Sequence, residues 1–216
     1  MRILIYGAGK IARTIIGKFR NAKITVIEND EERAQKIASS FPNITVIEGD
    51  CLNSQVIQNA GLDHTDVVIS ATDDDSINIA AAVYARRFVQ KVIAVIQKEE
   101  FSAVLEQVGI HPLLPNETAG IFCSSYLKHP LIYDLIYVED KGHRMIEVNI
   151  NSEFKPIKLK DLPNNAGLVA AIYRNKNFIK LDENTEIKEN DGVLIIFDVD
   201  KCCDDLYRFW KFKDWM

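Results

Sequence analysis

The chain has 216 residues, 47% hydrophobic and 26% charged, with a formal net charge of −5. That length buries a real core as one large domain or two modest ones, and the acidic balance argues against broad non-specific nucleic-acid binding, which needs clustered positive charge. No run approaches the roughly 20 apolar residues of a membrane span. The N-terminus enters a strand pattern directly, with no room for a signal peptide, and Cys51, Cys123, Cys202 and Cys203 form neither a CxxC pair nor a disulfide framework, so a reducing cytoplasm is expected.

In chain order, five Val- and Ile-rich runs read as strands, at residues 2–6, 23–27, 44–47, 66–71 and 91–97. They are nearly continuously apolar, as parallel strands covered on both faces are. Helical patterns fill the gaps near 10–20, 30–41, 53–60, 74–89 and 99–108, and the first sets Ile11, Ile15, Ile16 and Phe19 on one face. This alternation predicts an α/β, Rossmann-type open parallel sheet with right-handed crossovers over residues 1–115.

Residues 116–139 then read as a helical connector of two short helices broken at Pro130, since proline interrupts the helical ladder. Its apolar residues, from Ile121 and Phe122 to Ile136 and Tyr137, outnumber what one stripe requires. A second subunit is the expected cover, and packing on its own chain is the plainer reading. Residues 140–216 predict a small α+β domain with strands at 144–150, 168–174, 178–181 and 193–199 and a terminal helix. The turns Arg174-Asn175-Lys176-Asn177 and Glu189-Asn190-Asp191-Gly192 punctuate it.

The densest chemical signal is Gly7-Ala8-Gly9-Lys10-Ile11-Ala12, a G-x-G-x-x-G/A pattern that follows a strand and opens a helix. The first glycine permits the tight turn, the second lets a pyrophosphate approach the backbone, and small Ala12 lets helix and strand pack closely. N–H groups at the helix start would point at the anion. Lys10 and Arg13 sit in that first turn, where positive charge opposes the macrodipole unless an anion is present. Glu28 ends the second strand about 20 residues on, placed to accept from adenosine ribose hydroxyls and to repel a 2′-phosphate. Asp50, in Glu48-Gly49-Asp50, and the run Ala71-Thr72-Asp73-Asp74-Asp75 fall at the same carboxyl edge of the sheet. Helix capping is the bland reading of these acids, and ligand or cation contact the sharper one.

No catalytic group joins the turn. Neither Tyr84, Tyr126 nor Tyr133 is followed by a lysine at Tyr-x-x-x-Lys spacing, His64, His111, His129 and His143 are scattered, and neither a nucleophile elbow nor a P-loop occurs. Adjacent Cys202-Cys203 open the expected terminal helix, where small apolar packing competes with redox sensing. The tail LYRFWKFKDWM could lie on a membrane or a partner, and packing on its own domain or on a twin subunit is the simpler expectation. Three other classes fit the turn: an NAD-dependent oxidoreductase with an unrecognised catalytic group, an S-adenosylmethionine-dependent methyltransferase, and an interaction module with a vestigial site.

Gly7-Ala8-Gly9, Glu28, Gly49-Asp50, Ala71-Thr72 and Asn78, followed by PIKLKDLPNNAGLVAAIYRNKNFIKLDENTEIKENDGVLIIF, succeed one another in an order that resembles the TrkA/KtrA proteins. These are cytosolic regulatory subunits of potassium uptake systems, also called RCK or KTN proteins. The likeness covers about 2–199, with one copy of each half. It implies a non-enzymatic switch that binds NAD(H) or ATP, ADP or AMP, forms homodimers within a higher ring, and gates a membrane potassium-transporting subunit from the cytoplasmic face. By position, Gly7, Gly9 and Lys10 would face the phosphates, Glu28 the ribose and Asp50 the adenine edge, with Ala8, Ile11, Ala12, Asn29 and Cys51 in the same cofactor-binding set. Ala71, Thr72 and Asp73 would line the pocket, and Glu117 falls where relatives place an acid that a divalent cation can use. Many relatives carry basic residues where this chain has Val95, Gln97 and Pro112, which weakens ATP-versus-ADP sensing and leaves NAD(H), ADP or AMP the better expectation.

Overall fold

A computed structural model describes residues 1–19, 21–129, 133, 143–164, 166–198 and 209–210. They fall into two compact units, Met1–Phe122 and Cys123–Met216.

The first unit alternates β1 (Arg2–Tyr6), α1 (Lys10–Lys18), β2 (Lys23–Glu28), α2 (Glu31–Ser40), β3 (Thr45–Glu48), α3 (Ser54–Asn59), β4 (Val67–Ser70), α4 (Asp75–Arg86), β5 (Lys91–Val95), α5 (Ser102–Gln107) and β6 (His111–Leu113), and runs into α6 (Pro115–Lys128). The strands form one parallel sheet in the order β3-β2-β1-β4-β5-β6. Consecutive residues of β1 face opposite ways, as strand pleating requires. Leu4 and Tyr6 join one buried cluster and Ile3 and Ile5 the other. The order reverses direction between β1 and β4, the point where such sheets leave a crevice beyond the carboxyl ends of their strands.

Three local departures from the expected elements have simple causes. Strand β6 runs through Pro112, a residue that taken alone signals a turn, yet it pairs with β5 from Ile93–His111 to Val95–Leu113. Proline fits there because β6 ends the sheet, where a missing N–H removes no needed ladder bond. Phe19, expected on the inward face of α1, caps the helix at 44% exposure, and Ala12 and Ile16 are the residues buried there. Helix α4 stops at Arg86, short of the expected 89.

In the second unit β7 (His143–Asn149), β9 (Leu168–Arg174), β10 (Asn177–Phe178) and β12 (Gly192–Asp198) form an antiparallel sheet ordered β10-β9-β12-β7. Strands β8 (Ile157–Lys158) and β11 (Glu186–Ile187) make a separate two-stranded ladder that the alternation pattern is too short to announce. Asn175 and Lys176 both take positive φ, 49° and 66°, the requirement of a two-residue hairpin turn that follows the strand twist. The strand expected at 178–181 is correspondingly brief.

Val148, Ile172, Val193, Ile195 and Phe197 form the core of this unit with Phe154 and Trp210. Trp210 stacks on Phe154 at 5.6 Å between ring centroids, and its indole N–H donates to the Ala166 carbonyl at 2.9 Å. At Phe209 and Trp210, then, the aromatic tail packs on its own unit. The rest of that tail, Cys202-Cys203 and the break at Pro130 lie outside the described residues.

Candidate functional site

Gly7 has φ +93°, a left-handed conformation that a side chain resists. A methyl group there would stand 2.7 Å from the Ala71 carbonyl oxygen, so the turn after β1 lies hard against the loop after β4. The Gly7 N–H donates to the Ile27 carbonyl at 2.8 Å, continuing the ladder one residue past the strand. Gly9 is the N-cap of α1. It supplies no side-chain acceptor, and the first turn holds no acid. Helices α2, α3 and α4 differ, because Asp30, Asn53 and Asp74 each accept N–H bonds at their starts. The positive end of the α1 dipole is therefore left facing the crevice.

Glu28 holds the opposite wall. It is only 4% exposed, and its two oxygens accept from the Ala8 N–H at 2.6 Å and the Asp30 N–H at 3.1 Å. One carboxylate thus ties the glycine turn to the turn after β2. An ionised carboxylate has about four acceptor positions, so capacity for further donors is left over. After β3, Asp50 accepts the Leu52 N–H at 2.8 Å. Beside it, burial and then the Asp50 charge push the Cys51 thiol up to about 11, which makes it a neutral wall and no nucleophile.

The three consecutive acids after β4 do three different things. Asp74 caps α4 by accepting from Ser76 and Ile77. Asp75 accepts the Gln97 and Lys98 N–H groups and pins the loop after β5. Asp73 reaches across to Arg33 on α2, Oδ2 to Nη1 at 2.8 Å. Beneath them Asn78 is 1% exposed. Its amide oxygen accepts from the Thr72 N–H and hydroxyl at 2.8 and 2.7 Å, and its NH2 donates to the Thr72 and Val95 carbonyls. Asn78→Ala leaves several of these groups without partners, and a loss of about 2 kcal/mol is expected. Chemical denaturation of the first unit measures it.

These walls enclose two adjoining clefts. One, of about 260 Å³, brings together Gly7, Ala8, Gly9, Glu28, Asn29, Asp50, Cys51, Ala71, Thr72 and Asp73, with Asp30, Arg33 and Asp74. The other, a shallower space of about 630 Å³, shares Ala8, Gly9, Arg33, Ala71, Thr72 and Asp73 and adds Lys10, Ile11, Arg13, Lys36 and Gln97 among others. Ala12 lines neither, being fully buried under the turn. Glu117 lies exposed in the first turn of α6, outside both linings. Among the described residues no group of three or more His, Cys, Asp or Glu could hold a metal ion. Arg33 and Asp30 were not singled out in the sequence, where one reads as an ordinary exposed helix residue and the other as an ordinary cap.

Residues 3–114 match the model of the TrkA-N domain family. A Trk system potassium uptake protein TrkA homolog of Pyrococcus abyssi is 26% identical over 228 aligned positions, covering 99% of both chains. The Trk system potassium uptake protein TrkA of Azorhizobium caulinodans is 26% identical across 90% of this chain, which spans only 44% of that longer protein. Among solved structures, the human SLO3 gating ring aligns with 96% of this chain and 46% of its own at TM-score 0.64 and 11% identity. The TrkA-N domain of the Escherichia coli inner membrane protein ybaL aligns with 59% of this chain and 96% of its own at TM-score 0.53 and 16% identity. These structural likenesses are likenesses of fold. Among the described residues no helix is long and apolar enough to cross a membrane.

Proposed function

Because the chain belongs to the TrkA-N domain family, we propose that it is a cytoplasmic, nucleotide-binding regulatory subunit that gates a membrane potassium uptake system. The observation that carries the reading is the uncapped start of α1 behind the Gly7–Gly9 turn, faced by the buried Glu28 carboxylate. A pyrophosphate fits the first feature and ribose hydroxyls fit the second. Asp50 and Cys51 border the adenine end, and Ala71, Thr72 and Asp73 the other wall. The two adjoining clefts favour a dinucleotide, NAD(H), over ADP, ATP or AMP. In this proposal the role is regulatory rather than catalytic, which the relatives' names as potassium uptake proteins support over the oxidoreductase reading.

Residues 116–139 serve in this proposal as the interface of a homodimer that builds a ring. Helix α6 supports it, since none of its residues is buried and Ile121 and Leu127 are 62% and 78% exposed. A divalent cation at Glu117 would draw its other ligands from a second copy. A nucleotide moves such an assembly only by its differential affinity for two shapes, with coupling of about 1–3 kcal/mol per site.

The test is potassium uptake in cells lacking their own regulator and supplied with this chain. Restored, nucleotide-responsive uptake supports the proposal. Folded, nucleotide-loaded protein that leaves uptake unchanged contradicts it.

A further inference from the structure

The nucleotide reading places Asp73 on a wall of the cleft but gives its ion pair with Arg33 no role. Arg33 and Asp73 come from different elements, α2 and the loop after β4, and meet at 2.8 Å while remaining 50% and 74% exposed. Both line both clefts, so the pair crosses the boundary between them. It also crosses above the glycine turn: a methyl group on Gly9 would lie 4.0 Å from Asp73 Oδ1. A carboxylate thus stands over the helix start where a phosphate would approach, and it already occupies the guanidinium that both clefts share.

Resting on the nucleotide reading above, we propose that Asp73 is an internal stand-in for phosphate. It must leave Arg33 when a nucleotide binds, and in doing so it sorts nucleotides by charge. The exchange is cheap because exposed ion pairs contribute little. It is directional because a guanidinium takes a phosphate in a two-pronged, charge-assisted grip.

Asp73 remains nearby afterwards as a like charge. In the smaller cleft Glu28, Asp30, Asp50 and Asp74 add to it, and among the described residues that line it Arg33 is the one cation. A pyrophosphate esterified at both ends, as in NADH, carries less charge than the open terminal phosphates of ADP or ATP. The filter therefore favours the dinucleotide. Lys10, Arg13 and Lys36 border the larger cleft, where charge on the far side of the pyrophosphate is better tolerated.

The experiment is calorimetric titration of NADH, ATP and adenosine into the full chain, its Asp73→Asn variant and its Arg33→Gln variant. Both side chains are at the surface, so the variants should fold, and a thermal melt verifies this. Removing one like charge at contact distance is worth about fivefold, so Asp73→Asn should raise ATP affinity about that much and NADH affinity less. Arg33→Gln should weaken NADH and ATP about fivefold or more and leave adenosine unchanged. An unchanged ATP-to-NADH ratio in Asp73→Asn, with both ligands still binding, overturns the proposal and leaves the nucleotide site standing. Absence of binding by every ligand to every protein overturns both.

Discussion

Gly7→Val is expected to destabilise the first unit by about 2–6 kcal/mol and to abolish any nucleotide response. Two costs add. A β-branched residue resists the left-handed φ of +93°, at about 1–3 kcal/mol. The new Cβ would also meet the Ala71 carbonyl oxygen at 2.7 Å, and overpacking of that kind costs about 1–3 kcal/mol more. Neither the oxygen nor the turn can give way, because the Ala71 N–H bonds to the Tyr6 carbonyl and the Gly7 N–H to that of Ile27.

Gly9→Ala is the instructive contrast. Gly9 has an ordinary φ of −69°, and its nearest obstacles are 3.8 and 4.0 Å away. That variant should lose less than about 1 kcal/mol of stability while its methyl group obstructs a phosphate at the helix start. Thermal melts with and without NADH separate the two effects. Equal stability of both glycine variants would show that the turn is not held as described.

Asp191→Ala should cost the second unit about 3–5 kcal/mol, the usual price of removing one partner from a buried ion pair. Asp191 is fully buried and accepts from Arg174 Nε and Nη2 at 2.6 and 2.7 Å and from the Lys188 N–H at 2.8 Å. Arg174 also donates to the Glu186 carbonyl, so the pair staples β9 to β11 and to the turn before β12. The chain has two compact units, and only the calorimetric transition of the second is expected to move.

The pH dependence has a definite sign. Burial works to raise the Asp191 carboxyl, but the Arg174 hydrogen bonds, the Lys188 N–H and the charges of Arg174 and Lys188 outweigh it and hold it below the ordinary carboxylate range. A carboxylate lowered in the folded state adds stability at pH above its unfolded value of about 3.9 and loses it as the pH falls through the folded value. The second unit should therefore weaken in acid, and Asp191→Ala should weaken less steeply.

How legible the molecule was in its sequence depended on how local each signal is. The strand–glycine–helix succession and Glu28 are contiguous or regularly spaced, and the parallel sheet follows from alternation alone. Strand β6 was hidden because the same proline signals a turn in isolation and is tolerated at a sheet edge. The three roles of Asp73, Asp74 and Asp75 were equally opaque: identical side chains in a row acquire different partners only when α2, α4 and the loop after β5 come together. Arg33 had no local signal at all, since its partner lies forty residues away. In the second unit the Asn175-Lys176 turn was readable from residue type, whereas β8 and β11 are two residues each and carry no periodicity.

The most direct test of the nucleotide cleft is a calorimetric titration of the wild-type chain with NADH, NADPH and S-adenosylmethionine in turn. Saturable NADH binding at one site per chain is expected, with NADPH weaker because its 2′-phosphate would meet the Glu28 carboxylate. Binding of S-adenosylmethionine alone, or of none of the three, would contradict the reading of the Gly7–Gly9 turn and Glu28 as a nucleotide site.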